Sequence, residues 1–110
     1  MKLPNGLRAD LGEKLEDYSL NPLHLEGRHK ARVFSSVLGI TLDEIETLRS
    51  AVFSAAATSE DAVARGNNGF GDVFVLLFPM TTKRGSAKIL TAWIIRNGED
   101  FPRLTTCYII

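Results

Sequence analysis

"DVFVLLFPM", residues 72–80, is the stretch where the chain changes its period, and it decides the fold. Upstream, apolar residues recur every three or four positions. Here they run on without interruption, β-branched and aromatic, over the length of one strand. A run of that kind reads as a strand covered on both faces. Toward the C-terminus, "TTKRGS" (81–86) makes a turn and "AKILTAWIIR" (87–96) a second strand. "NGEDFP" (97–102) turns again on Asn97-Gly98, and "RLTTCYII" (103–110) is a third strand. Short turns between successive strands imply antiparallel pairing.

Working back from residue 72, "GNNGFGD" (66–72) has three glycines but neither the lysine nor the preceding strand of a phosphate loop, and reads as a flexible hairpin or connection. Ahead of the polar loop (58–72) lies the clearest helix. Thr41 is its N-cap, with Glu44 three residues on as a capping box and Ile40 and Ile45 in the staple positions. Ile45, Leu48, Val52 and Ala55/Ala56 form its core face, and it ends near Thr58. A second helix spans 28–38, between Gly27 and a C-capping Gly39. Its apolar stripe is Val33, Phe34, Val37 and Leu38, with Arg28, Arg32 and Ser35 opposite. Asp10 and Glu13 stand at capping-box spacing before Leu11, Leu15 and Tyr18, which predicts a short helix over 11–18 stopped by Asn21-Pro22. Helices first and a meander afterwards define an α+β domain. Its N-terminal helices pack on one face of a C-terminal antiparallel sheet of three to four strands, in one domain over residues 1–110.

The chain has 110 residues with thirteen basic and thirteen acidic side chains, so its formal net charge is zero. That excludes an architectural DNA-coating role, which needs a strong positive excess, but not an enzyme with a local basic patch. The single cysteine, Cys107, excludes an internal disulfide framework and a multi-cysteine metal site. Pro4, Asn5 and Gly6 stand where a leader peptide would be apolar, and no apolar run approaches the ~18 residues of a membrane span. The chain therefore reads as cytoplasmic and not membrane-bound.

The basic cluster Arg28-His29-Lys30-Arg32 opens the second helix, where cations oppose the helix dipole. Two readings stand: a solvated helix end neutralised by Glu26 or Glu13, or an anion-binding site of Arg28, Lys30 and Arg32. Lys30 strengthens the second, since it projects toward the apolar stripe, in line with Phe34 and Val37; in the first it runs along the apolar surface to water at the helix end. His24 and His29, with Glu26, lack the geometry of a zinc site, so no metal and no cofactor are expected. His29 suits general acid–base work by its ordinary pKa. Strict alternation would place Arg103, Thr105, Cys107 and Ile109 on one face of the last strand and Leu104, Thr106, Tyr108 and Ile110 on the other. Cys107 reads as a small buried residue and Trp93 as core.

At "LNPLHLEGRHKARVF" (20–34) and "AWIIRNGEDFPRLTTCYII" (92–110) the sequence resembles a family of small uncharacterised bacterial domains found alone and as tails of toxin-like proteins. The pattern is Asn21-Pro22, His24, Gly27, His29-Lys30-Ala31, Phe34, with Leu25 in place of a proline after His24. The element order also resembles the RNase toxin superfold of barnase, EndoU, colicin-type and RelE nucleases. That resemblance implies metal-independent RNA cleavage, with His29, Lys30, Arg103, Thr105 or Thr106, and Tyr108 as the catalytic set. The alternatives are a non-catalytic module that binds a cognate protein or a second copy, through an exposed apolar patch or a sheet edge such as 73–78, and a small-molecule pocket under the sheet.

Overall fold

The computed structural model describes residues 1–110. The helical half is built by the signals in the sequence. Helix α1 (Arg28–Val33) continues through a π-helical turn (Phe34–Leu38) to Gly39, which caps it at φ 67°. Helix α2 (Ile45–Thr58) follows a 3-10 turn (Leu42–Glu44) whose capping box is complete: Thr41 Oγ1 accepts from the Asp43 N–H, and the Glu44 carboxylate accepts from the Thr41 N–H. Leu48, Val52, Ala55 and Ala56 are its buried residues, as the spacing requires. Val33 departs from the expected stripe and is exposed, because the buried side runs through Ala31, Phe34 and Leu38, which share one face at spacings of three and four.

The first helix is shorter than its sequence suggests, a single π-helical turn over Leu15–Ser19. Gly12 takes a left-handed conformation, and Asp10 serves elsewhere: its Oδ1 accepts from the Gly12 N–H and its Oδ2 pairs with Arg103. A capping box from Asp10 to Glu13 is therefore not formed. No helix is long and apolar enough to cross a membrane.

Four strands follow: β1 (Val63–Asn67), β2 (Gly71–Thr81), β3 (Ser86–Arg96) and β4 (Arg103–Ile109), all antiparallel, in the spatial order of the chain. β1 falls in the stretch read as polar loop, since its side chains are exposed throughout and carry no apolar alternation. Only its pairing to β2 makes it a strand. β2 therefore lies inside the sheet, not at its edge, and the unpaired edge on that side belongs to β1. Pro79, which has no N–H to donate, sits beyond the last β1 pair, Val63↔Val75.

The helices cover one face of the sheet. Phe74, Leu76, Phe78, Ile89, Trp93, Leu104 and Cys107 meet Leu15, Phe34, Leu38, Leu48 and Val52 in a single core. Each large side chain so buried contributes about 1.5–3 kcal/mol. Val73, Val75, Leu77, Leu90 and Ala92 alternate onto the other face, half-buried and outside that core. The expectation of a strand covered on both faces is corrected here: β2 is apolar on both sides but helix-covered on one.

The last strand departs from strict alternation. Ala92 pairs with Thr106 and Trp93 with Leu104, leaving Thr105 as an extra residue. A bulge of this kind resets the faces. Leu104 and Cys107, expected on opposite sides, both point into the core, while Arg103, Thr106 and Tyr108 share the other side. The free edge of β4 is then closed by the N-terminal segment. The Asp10 N–H donates to the Pro102 carbonyl and its carbonyl accepts from Leu104, both at 2.9 Å. The buried Ser19 hydroxyl donates to the Cys107 carbonyl at 2.7 Å.

Candidate functional site

The start of α1 is organised by its neighbours in sequence. Asn21 Oδ1 accepts from the Leu23 N–H, and His24 Nδ1 accepts from the backbone N–H groups of Glu26 and Gly27 at 3.1 and 3.0 Å. His24 thus satisfies two backbone N–H groups of the turn that leads into α1, whose N-cap is Gly27. Gly27 is required by proximity: a Cβ there would fall 2.1 Å from the Tyr18 carbonyl oxygen. With no side chain at 27, the first turn of α1 lies directly on Tyr18. The His24 and Tyr18 rings meet edge to face, 4.9 Å between centroids.

That packing delivers Lys30 to the edge of the sheet. Its Nζ donates to the Tyr18 hydroxyl at 2.7 Å and to Thr106 Oγ1 at 3.4 Å. The same ammonium stands 4.3 Å from the Tyr18 ring centroid and 4.8 Å from that of Tyr108. Two aromatic faces and two hydroxyls replace part of its lost hydration. No carboxylate pairs with it, nor with Arg28, His29 or Arg32. The neutralisation by Glu26 or Glu13 that would make this a plain helix end is not formed. Lys30 is thus a half-buried cation surrounded by hydroxyls and ring faces, with no carboxylate against it.

The structure brings together Lys30 and Tyr108 of the expected set, with Thr106 taking the place of Thr105. Thr105 is the exposed extra residue of the bulge. Arg103 lies on the same side of β4, but its guanidinium is already engaged. Nε and Nη2 donate to the two Glu99 carboxylate oxygens at 2.9 and 2.8 Å, and Nη1 donates to Asp10 at 3.1 Å. The Phe101 ring lies beneath it. The hydrogen bond from Arg103 holds the Glu99 carboxyl below the usual carboxylate range. His29 is exposed and its imidazole makes no hydrogen bond within the chain. Arg28 and Arg32 line a groove on the other flank of α1, away from the stripe that Lys30 follows.

Cys107 is fully buried, and desolvation pushes its thiol up to about 12, with the Lys30 charge acting weakly in the opposite sense. A buried thiol raised in this way stays protonated at neutral pH, which disfavours nucleophilic attack. Trp93 is fully buried, its indole N–H donating to Thr91. No group of three or more His, Cys, Asp or Glu side chains is placed to hold a metal ion. Sequence reasoning missed Tyr18 and His24 as parts of the site. Tyr18 read as one more apolar helix position, and His24 was weighed only as a metal ligand. The available signal was Gly27, three residues from each of His24 and Lys30.

Fold and site together define a helix-covered antiparallel meander with an unneutralised lysine held by hydroxyls and aromatic rings at one sheet edge. The chain belongs to the family described as Domain of unknown function (DUF6883), whose model matches residues 2–110. No curated protein and no solved structure matches the chain.

Proposed function

We propose that the domain binds a phosphodiester at Lys30 and cleaves RNA without a metal, in the manner of the toxin-like nucleases its element order resembles. The observation that supports this is the Lys30 ammonium, enclosed by Tyr18, Thr106 and Tyr108 with no carboxylate to neutralise it. In the reaction, the 2′-hydroxyl attacks the adjacent phosphorus. The bond to the 5′-oxygen breaks, a 2′,3′-cyclic phosphate forms, and the leaving oxygen takes up a proton. Lys30 balances the charge gained by the phosphoryl oxygens. Tyr18 accepts from Lys30 and keeps its own O–H, which it donates to the leaving oxygen. His29, exposed at the neighbouring helix position, is assigned the 2′-hydroxyl proton. Thr106 orients the phosphate, and Tyr108 offers an aromatic face to a base. Arg103 has no part in the chemistry, since its donors are already matched.

Cleavage of a mixed RNA pool in EDTA tests this. Wild type should cleave, Lys30→Met should lose about 10²–10³-fold, and Tyr18→Phe and His29→Ala should each lose at least about 10²-fold. A folded wild type that leaves RNA intact, or cleavage indifferent to Lys30→Met, overturns the proposal.

A second reading, a protein-interaction module, draws on the apolar sheet face of Val73, Val75, Leu77, Leu90 and Ala92 outside the core. The five residues lie on two adjacent strands, over about 14 Å of strand rise, and two such patches packed across a two-fold axis would form the apolar centre of a small interface. Sedimentation at rising concentration decides it: a concentration-dependent dimer that Leu77→Lys abolishes supports this reading, and a monomer throughout removes it.

A further inference from the structure

The arginines of this chain divide by partner. Of eight, Arg8, Arg49 and Arg103 are in ion pairs with carboxylates. Of the five that are not, three converge on one groove of about 870 Å³ between α1, the turn after Gly39 and the β2–β3 turn. Arg28 and Arg32 stand one helical turn apart, with about 5–6 Å between their Cβ atoms. Arg84 comes from the opposite wall, and its position is built. Its Nε donates to the Ser36 carbonyl at 2.9 Å, and its stem lies over Gly39, where a Cβ would be 3.1 Å from Arg84 Cδ. The Nη groups remain free for a ligand. Ser35 and Thr41 add hydroxyls, and Asp43 is the one carboxylate on the lining.

This groove is much larger than a single phosphate, and its three cations come from two walls, Arg28 and Arg32 from one and Arg84 from the other. It contains no aromatic side chain, so it offers no stacking platform for a base. Spaced cations with hydroxyls and no base-reading group suit a sugar–phosphate backbone read without regard to sequence. We infer that the groove holds the backbone of single-stranded RNA, on the flank of α1 opposite Lys30, and supplies substrate affinity while Lys30 supplies the chemistry. The choice of RNA as the strand rests on the cleavage reading above; the groove and its arginines do not.

The test is binding of a fluorescein-labelled 2′-O-methyl oligouridylate, which cannot be cleaved, measured by anisotropy over a range of KCl concentrations. Three phosphate contacts contribute a slope of log K against log salt of about −2, at roughly 0.7 per contact on a single strand. Arg28→Gln/Arg32→Gln/Arg84→Gln should flatten the slope by about 2 and weaken binding at low salt at least tenfold. Arg28→Gln/Arg32→Gln, which leaves the Arg84 clamp intact, should flatten it by about 1.4. Lys30→Met should change it by no more than about 0.7. Oligoadenylate should bind as well as oligouridylate.

A triple variant with the wild-type slope overturns the inference. So does a strong preference between the two oligonucleotides. Arginine-dependent binding of pyrophosphate, or of polyglutamate, that is tighter than that of the strand also overturns it, in favour of a small-anion site or an acidic protein partner. Cleavage lost in Lys30→Met with no arginine-dependent slope leaves the nuclease standing and removes the groove. Arginine-dependent binding by a protein that never cleaves RNA does the reverse.

Discussion

Lys30 and Arg103 are two cations laid against the same strand. Each reaches the side of β4 away from the core, and each rests on aromatic rings. They differ in what completes them. Arg103 meets both oxygens of Glu99 and one of Asp10, so its charge is balanced inside the fold. Lys30 meets hydroxyls and ring faces, and its charge is left open. Arg103 ties the β3–β4 turn to the N-terminal segment. Lys30 joins α1 to Tyr18 and β4 without a carboxylate, which is the feature the proposed phosphodiester site draws on. A cation's place on a strand says little about its role; the side chains that face it say most.

The comparison is sharpened most by Lys30→Met. It should cut RNA cleavage by about 10²–10³-fold while leaving the thermal midpoint unchanged or higher, because an apolar stem of similar length replaces a charge and no partner charge is orphaned. A large loss of stability would mean that Lys30 is structural after all. Arg103→Met should act in the opposite sense, lowering the thermal midpoint while cleavage per folded molecule stays near wild type. It should also alter the acid limb. Glu99 titrates below its ordinary value because of its hydrogen bond from Arg103. Its contribution is therefore present above that ordinary value, near 4.5, and is lost as pH falls through the lowered folded value. Wild type should lose stability over that acid range more steeply than Arg103→Met in urea titrations at stepped pH.

Gly27→Ala probes the packing that delivers Lys30. Its Cβ would collide with the Tyr18 carbonyl, which should cost about 1–3 kcal/mol and reduce cleavage by more than the unfolded fraction accounts for. Preserved cleavage would show that Tyr18 need not lie against α1. The smallest effect belongs to Ser19→Ala. Loss of the hydroxyl that closes the Cys107 carbonyl should lower stability by about 1 kcal/mol in urea unfolding and leave the Arg103 network untouched. An unchanged urea midpoint would mean that another group satisfies that carbonyl.

Much of this was legible in the residues themselves. The capping box at Thr41 and Glu44, the left-handed cap at Gly39, the buried face of α2 and the inward path of Lys30 all follow from spacing along a helix, where neighbours in space are three or four positions apart. The antiparallel order β2-β3-β4 follows from short turns between apolar runs. β1 did not announce itself, because its exposed residues become a strand only by pairing with Val75 and Phe74. The bulge at Thr105 was equally silent. It sets Thr106 rather than Thr105 beside Lys30, and no local propensity encodes an extra residue in a ladder.

The sequence by itself determined the cap and buried face of α2 and the order β2-β3-β4, since these depend on contacts within a few residues or on short turns. Only the tertiary structure decided which cation met which partner. Thr106 lies 76 residues from Lys30, and Asp10 lies 93 residues from Arg103. Contacts across such separations depend on how the whole sheet packs, and that packing alone made one cation a clasp and left the other open.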